Sequence, residues 1–226
     1  MQGCHLPLIT DTNTLYGGGR SNSLNHLVTA IEHGFGYDVT GAPLIIADGL
    51  CGENINEIQI DKKHFNSVKI AGGMVRADSM IVLSHFKGHV LSGFGGAIKN
   101  LAMGCAPATG KAEQHLAKPI FRQELCIGCN RCAEVCPGSA ISVETRILNI
   151  DHNACKGCGE CLRVCQVHDI DFDWTVAIPP FLERMAEYAF GALQNKSGRA
   201  GFLNFLLNIT PDCDCCHGVM QLSFQT

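Results

Sequence analysis

The chain has 226 residues, of which 46% are hydrophobic and 17% charged, enough apolar side chain for a packed core and too much for wholesale disorder. Its net charge is −4 and no block of like charges occurs, which excludes a dedicated nucleic-acid binder built on a basic stripe. No apolar run approaches the ~20 residues of a membrane-spanning helix, and Met1-Gln2-Gly3-Cys4-His5 lacks the cationic start and apolar stretch of a secretory signal.

Residues 6–10 form a short apolar run ending in Asp11-Thr12-Asn13, as a buried strand ends. Residues 21–34 predict a helix: Ser21 or Asn22 caps it, Leu24, Leu27, Val28 and Ile31 recur at helical spacing, and Gly34 closes it. Residues 43–47 predict a second strand turned by Asp48-Gly49. Residues 57–60 and 64–71 predict two paired strands about Asp61-Lys62-Lys63. A buried strand at 80–83 leads into a loop, Ser84-His85-Phe86-Lys87-Gly88-His89, and the glycine-rich 93–96 opens a helix over 97–103. Later, 180–193 predicts a helix with apolar Phe181, Met185, Tyr188, Ala189 and Ala192, and 201–209 returns to a buried strand. Alternating buried strands and helices predict an α/β layer.

Between these stretches the character changes. Cysteine occurs 14 times, and eight of those fall between Cys126 and Cys165. Cys126, Cys129, Cys132 and Cys136 recur at Cys155, Cys158, Cys161 and Cys165, each displaced by 29 positions, and Gly128, Val135 and Ile141 recur at Gly157, Val164 and Ile170 with the same offset. Because a strand pattern resumes afterwards, the repeat is expected as an insertion: 1–118 the first part of the α/β domain, 119–175 the insert, and 176–226 the continuation.

Each copy reads C-x2-C-x2-C-x3-C, and Pro137 follows the first. Thiolates suit iron; three closely spaced cysteines wrap one cluster and the fourth ligates the neighbouring one. This assigns Cys126, Cys129, Cys132 and Cys165 to one [4Fe–4S] cluster, and Cys155, Cys158, Cys161 and Cys136 to the other. Structural zinc also accepts four cysteines, but zinc motifs group them in twos. Clumped cysteines without a signal predict a reducing, cytoplasmic setting.

A second group sits at inferred strand ends: Asp11 and Asn13; His85 and His89; and Asn208 with Asp212, Cys213, Cys215 and Cys216. Lys87, Lys99 and Asn100 lie near them in sequence. If the strands run parallel, these residues converge beyond the carboxyl ends, where open α/β sheets gather ligands. The Cys213, Cys215, Cys216 run is then a candidate extra metal or dithiol site. Cys4, Cys51 and Cys105 read as ordinary thiols.

From Cys126 to Pro137, and again from Cys155, the sequence resembles the bacterial two-cluster ferredoxins over about fifty residues, with Gln166 where that family often has proline. Over nearly the whole chain the motifs Thr10-Asp-Thr-Asn-Thr-Leu-Tyr16, Gly41-Ala-Pro-Leu-Ile-Ile-Ala-Asp-Gly49 and Ser84-His-Phe-Lys-Gly-His89 resemble the iron–sulfur members of the domain-of-unknown-function 362 family. Gly93-Phe-Gly-Gly-Ala-Ile-Lys-Asn-Leu-Ala-Met-Gly104 and Asn204-Phe-Leu-Leu-Asn-Ile-Thr-Pro-Asp-Cys-Asp-Cys-Cys216 do likewise. That resemblance implies an α/β fold, a partly parallel sheet domain interrupted by a two-cluster ferredoxin-like α+β domain. It also implies a chain shortened at both ends. The expected function is electron transfer to or from a redox partner protein in anaerobic metabolism, with no nucleic acid and no membrane span. The alternatives are a cluster-fed redox enzyme with a pocket at the strand ends, and a non-catalytic redox sensor or scaffold.

Overall fold

The computed structural model describes residues 6–15, 18–89, 91–115, 118–136, 138–155, 160–167, 169–173 and 178–211. It is a mixed α/β structure built on small parallel and antiparallel ladders. Strand β1 (Ile9–Asp11) lies parallel to β2 (Leu44–Ile46), in the register Ile9↔Leu44 to Asp11↔Ile46. Helix α1 (Ser23–Ala30) intervenes, its first turn capped by Asn22, whose side chain accepts from the Asn25 amide at 3.0 Å. The helical run continues from Ile31 until Gly34, left-handed at φ +87°, breaks it as the sequence predicts, and α2 (Tyr37–Thr40) follows.

The orientation of α1 reverses its sequence pattern. Leu24 and Val28 are 65% and 56% exposed, while Ser23 and His26 are buried. The buried face is held by hydrogen bonds: Ser23 Oγ donates to the Gly49 carbonyl at 2.6 Å and stands 3.3 Å from Asn13 Nδ2.

Strands β3 (Ile55–Gln59) and β4 (Ser67–Ala71) pair antiparallel about the predicted turn, and α3 (Gly72–Arg76) follows. Strand β5 (Met80–His85) runs into a hairpin of β6 (Lys87–His89) and β7 (Gly93–Gly95), where the sequence predicted a loop. Gly88 weakens a strand, yet its amide finds the Thr210 carbonyl at 2.7 Å, which holds the hairpin extended. Helices α4 (Ala97–Gly104) and α5 (Ala108–His115) come next.

A repeated unit occupies 118–173: β8 (Lys118–Phe121), α6 (Arg131–Glu134), β9 (Ile141–Glu144), then β10 (Ile147–Ile150), α7 (Glu160–Val164) and β11 (Ile170–Asp173). Every element of the second half begins 29 positions after its counterpart. β8 pairs with β11 and β9 with β10, so both ladders cross between the repeats, and their registers correspond: Phe121↔Ile170 matches Ile150↔Ile141. Its core holds Cys132, Ile141, Leu148, Cys161 and Ile170, with Cys126, Cys136 and Cys165 packed against it.

Helix α8 (Ile178–Ala192) returns to the main core, and β12 (Ala200–Phe205) closes the order parallel to β5. Phe181, Met185, Tyr188 and Ala192 share one face of α8 and are buried against β4 and α4. Burying side chains of the size of Phe181 stabilises by roughly 1.5–3 kcal/mol each. Strand β12 departs from the prediction of a buried strand: Phe202, Leu203 and Phe205 are exposed, because β5 is its sole ladder partner among the described residues. No helix among the described residues is long and apolar enough to cross a membrane.

Candidate functional site

The cysteine loops of the repeat unit converge. Cys126, Cys129, Cys132 and Cys165 line one solvent-open cleft, together with Asn130, Arg131, Val143, Leu148, Asp169 and Ile170. Three of the sulfurs come from the first repeat and the fourth from the second. Gly128, at φ +71°, turns the loop between Cys126 and Cys129, and Asn130, also left-handed, starts α6, which carries Cys132. Cys132 is buried and Cys129 exposed.

Burial pushes the Cys132 thiol up and the neighbouring Cys129 and Cys126 push the same way, while the Ala133 and Cys132 amides pull it down. A cation beside Cys132 would favour its thiolate. Among the described residues no three His, Cys, Asp or Glu side chains close on a single ion. The four cysteines instead line the cleft's wall.

The fourth cysteine of each repeat accepts a backbone hydrogen bond. The Ala140 amide donates to Cys136 Sγ at 3.2 Å and the Asp169 amide to Cys165 Sγ at 3.3 Å, again 29 positions apart. Of the second predicted set, Cys136, Cys155 and Cys161 are described, and Cys158 lies outside the described residues. None of the nine described cysteines is disulfide-bonded. Cys105 is enclosed, and burial pushes its thiol up to about 12, in keeping with an inert residue; Cys51 is exposed.

The predicted strand-end group divides in two. Asp11 stands at the carboxyl end of α4, where Thr12 Oγ1 donates to the Gly104 carbonyl at 3.1 Å. Asn100, Asn204 and His85 stand at the other end: Asn204 Oδ1 accepts from the Ala97 amide at 3.1 Å, and Asn100 Nδ2 donates to the Leu83 carbonyl at 3.0 Å. An eight-residue helix of about 12 Å separates the two ends.

At the first end, Asn13 donates from its amide and Nδ2 to the buried Asp48 at 3.1 Å, and Lys111 Nζ donates to Thr12 Oγ1 at 2.7 Å and to the Asn13 carbonyl. Burial raises the Asp48 carboxyl and lowers the Lys111 ammonium. At the second end, His89 Nδ1 accepts from the Leu91 and Ser92 amides at 3.2 and 3.1 Å, which leaves its proton on Nε2. His85 Nε2 donates to the Leu207 carbonyl at 2.6 Å. Asp212, Cys213, Cys215 and Cys216, and Cys4, lie outside the described residues.

The model of the family described as Domain of unknown function (DUF362) matches residues 1–222. The chain belongs to that family. A search among curated proteins found no match.

In this DUF362 chain, sequence reasoning missed Asp48 and Lys111 as site residues. Asp48 was legible in principle: it follows β2 as Asp11 and Asn13 follow β1, and parallel neighbours bring their following residues together. Lys111 is a single residue without a pattern around it, whereas Asp169 stands 29 positions after Ala140 and follows Gln166, the departure from the ferredoxin pattern that the sequence already marked as able to alter a cluster's surroundings. Asp169 is 2% exposed, lines the cysteine cleft, and has no hydrogen-bond partner at either carboxylate oxygen.

Proposed function

We propose that this chain is an iron–sulfur protein holding two [4Fe–4S] clusters in a ferredoxin-type unit, with Cys126, Cys129, Cys132 and Cys165 at one and Cys136, Cys155, Cys158 and Cys161 at the other. The observation that carries the reading is the cleft lined by four cysteines, three from one repeat and the fourth from the other. That is the crossed arrangement expected of C-x2-C-x2-C-x3-C pairs. The donors fit the group: four cysteines on one cleft, with a backbone N–H aimed at Cys136 and at Cys165. Zinc also accepts four cysteines, but its motifs group them in twos. Such clusters supply one-electron transfer at low potential when bound.

The chain's own part is to hold the thiolates and to leave a way in. Ile127 and Leu125 are 47% and 45% exposed beside the exposed Cys129, giving a redox partner an apolar rim close to the cleft. A redox enzyme with one strand-end pocket is the weaker reading, because α4 stands between Asp11 and Asn204. Reduced thiols and oxygen-sensitive centres suit a reducing cytoplasm.

The test is iron and acid-labile sulfide in anaerobically purified chain, with EPR after dithionite reduction. About eight irons per chain and a spin-coupled signal are expected. Zinc without iron after anaerobic reconstitution overturns the reading.

A further inference from the structure

The repeat unit is symmetric in backbone and asymmetric in one buried side chain. Ala140 and Asp169 occupy the same place in the two repeats. Each donates its amide to the Sγ of the cysteine four positions back, at 3.2 and 3.3 Å, and each accepts at its carbonyl, from Asp151 at 2.8 Å and from Arg122 at 2.9 Å. Both are buried, at 4% and 2% exposure. With the backbone donors matched, what differs is a methyl group beside Cys136 and a carboxylate beside Cys165.

That carboxylate has no structural account. Both of its oxygens are buried without a hydrogen-bond partner, an arrangement that costs stability. It lines the cleft of Cys126, Cys129, Cys132 and Cys165. The other charged residue on that lining, Arg131, is exposed, so solvent screens it far more than it screens Asp169. A carboxylate on the wall of one centre, where the twin has a methyl group, opposes the arrival of an electron there, and charge and sulfur hydrogen bonding both set cluster potentials.

We propose that Asp169 makes the two centres unequal, lowering the reduction potential of the one held by Cys126, Cys129, Cys132 and Cys165 relative to its twin. An added electron then rests first at the Cys136, Cys155, Cys158 and Cys161 centre, which gives the pair a direction. This assignment rests on the two-cluster reading.

The experiment is a mediated potentiometric titration followed by EPR on wild type, Asp169→Asn and Asp169→Ala, with iron and sulfide measured on each. Asparagine keeps the shape without the charge, and alanine restores the twin's methyl. Both variants should carry wild-type iron, with one of the two one-electron steps moved positive by at least tenfold in its equilibrium constant, about 59 mV, and the other unmoved. Fully loaded variants with both steps unmoved, or both moved alike, overturn it. Loss of one centre's iron in both variants also overturns it, by making Asp169 a structural residue. A wild-type chain that takes up no iron instead fails the two-cluster reading, a separate and recognisable result.

Discussion

The Arg122 amide donates to the Asp169 carbonyl at 2.9 Å, and 29 positions on the Asp151 amide donates to the Ala140 carbonyl at 2.8 Å. Each bond joins the start of one repeat to the end of the other, continuing ladders that already cross, β8 with β11 and β9 with β10. Neither repeat has a strand ladder of its own among the described residues, so the halves fold together or not at all.

The proposed crossed ligation can be separated from its alternative by pairs of substitutions. Cys126→Ala with Cys165→Ala removes two ligands from one centre and none from the other, so about four irons and an uncoupled EPR signal should remain. Cys126→Ala with Cys136→Ala takes one ligand from each, leaving no centre with four thiolates. If the second pair keeps the intact centre and the first does not, each repeat binds its own cluster and the assignment is wrong.

Legibility in the sequence followed pattern. Helix α8 was readable because Phe181, Met185, Tyr188 and Ala192 write a single buried face at helical spacing. The repeat was readable because a constant offset of 29 survives in strands, helices and hydrogen bonds alike. Helix α1 carries an equally clear apolar spacing and buries the opposite side, since Ser23 answers to Gly49 and Asn13 rather than to its own periodicity. Helix α5 went unread: Ala-Thr-Gly-Lys-Ala-Glu-Gln-His has no apolar stripe and packs through Gly110, Ala112 and Gln114. The strand-end residues were found as residues but not as a site, because whether Asp11 meets His89 depends on where α4 lies.

Gly191 sets how closely α8 approaches β4. A Cβ built there stands 2.2 Å from Val68 Cγ2, and Val68 is fully buried with no room to retreat. Gly191→Ala should therefore destabilise by roughly 1–3 kcal/mol despite alanine's better helix propensity. Thermal unfolding should show a midpoint several degrees lower; a midpoint at or above wild type would mean that the helix can shift outward at little cost.

Lys111 bridges the carbonyls of Thr12 and Asn13, at 3.3 Å for Thr12, and so ties α5 to the end of β1. Lys111→Met keeps most of the packing volume and strands these buried acceptors at roughly 1–3 kcal/mol apiece. A fall in denaturant midpoint with unchanged iron content is expected, since the repeat unit is untouched. Iron loss together with the lowered midpoint would show that the two cores unfold as one.

Acid should weaken the fold through two histidines. Burial holds His115 at about 4, with His89, Lys99 and Arg184 pushing the same way, and burial with Lys99 and Lys87 holds His89 at about 4. Unfolded, each returns to the ordinary value of about 6.5, so the unfolded chain binds more protons throughout the interval between. The stability these neutral rings contribute is complete above pH ~6.5 and is lost as pH falls toward 4, at up to one proton per histidine. Carboxylates titrate in the same region but equally in wild type and variant, so the informative quantity is a difference. Denaturant unfolding at pH 7 and pH 5 should show a smaller acid loss in His115→Gln and in His89→Gln than in wild type, whatever each substitution does to stability at pH 7. Equal acid losses in all three chains would mean that neither ring is held neutral by its surroundings.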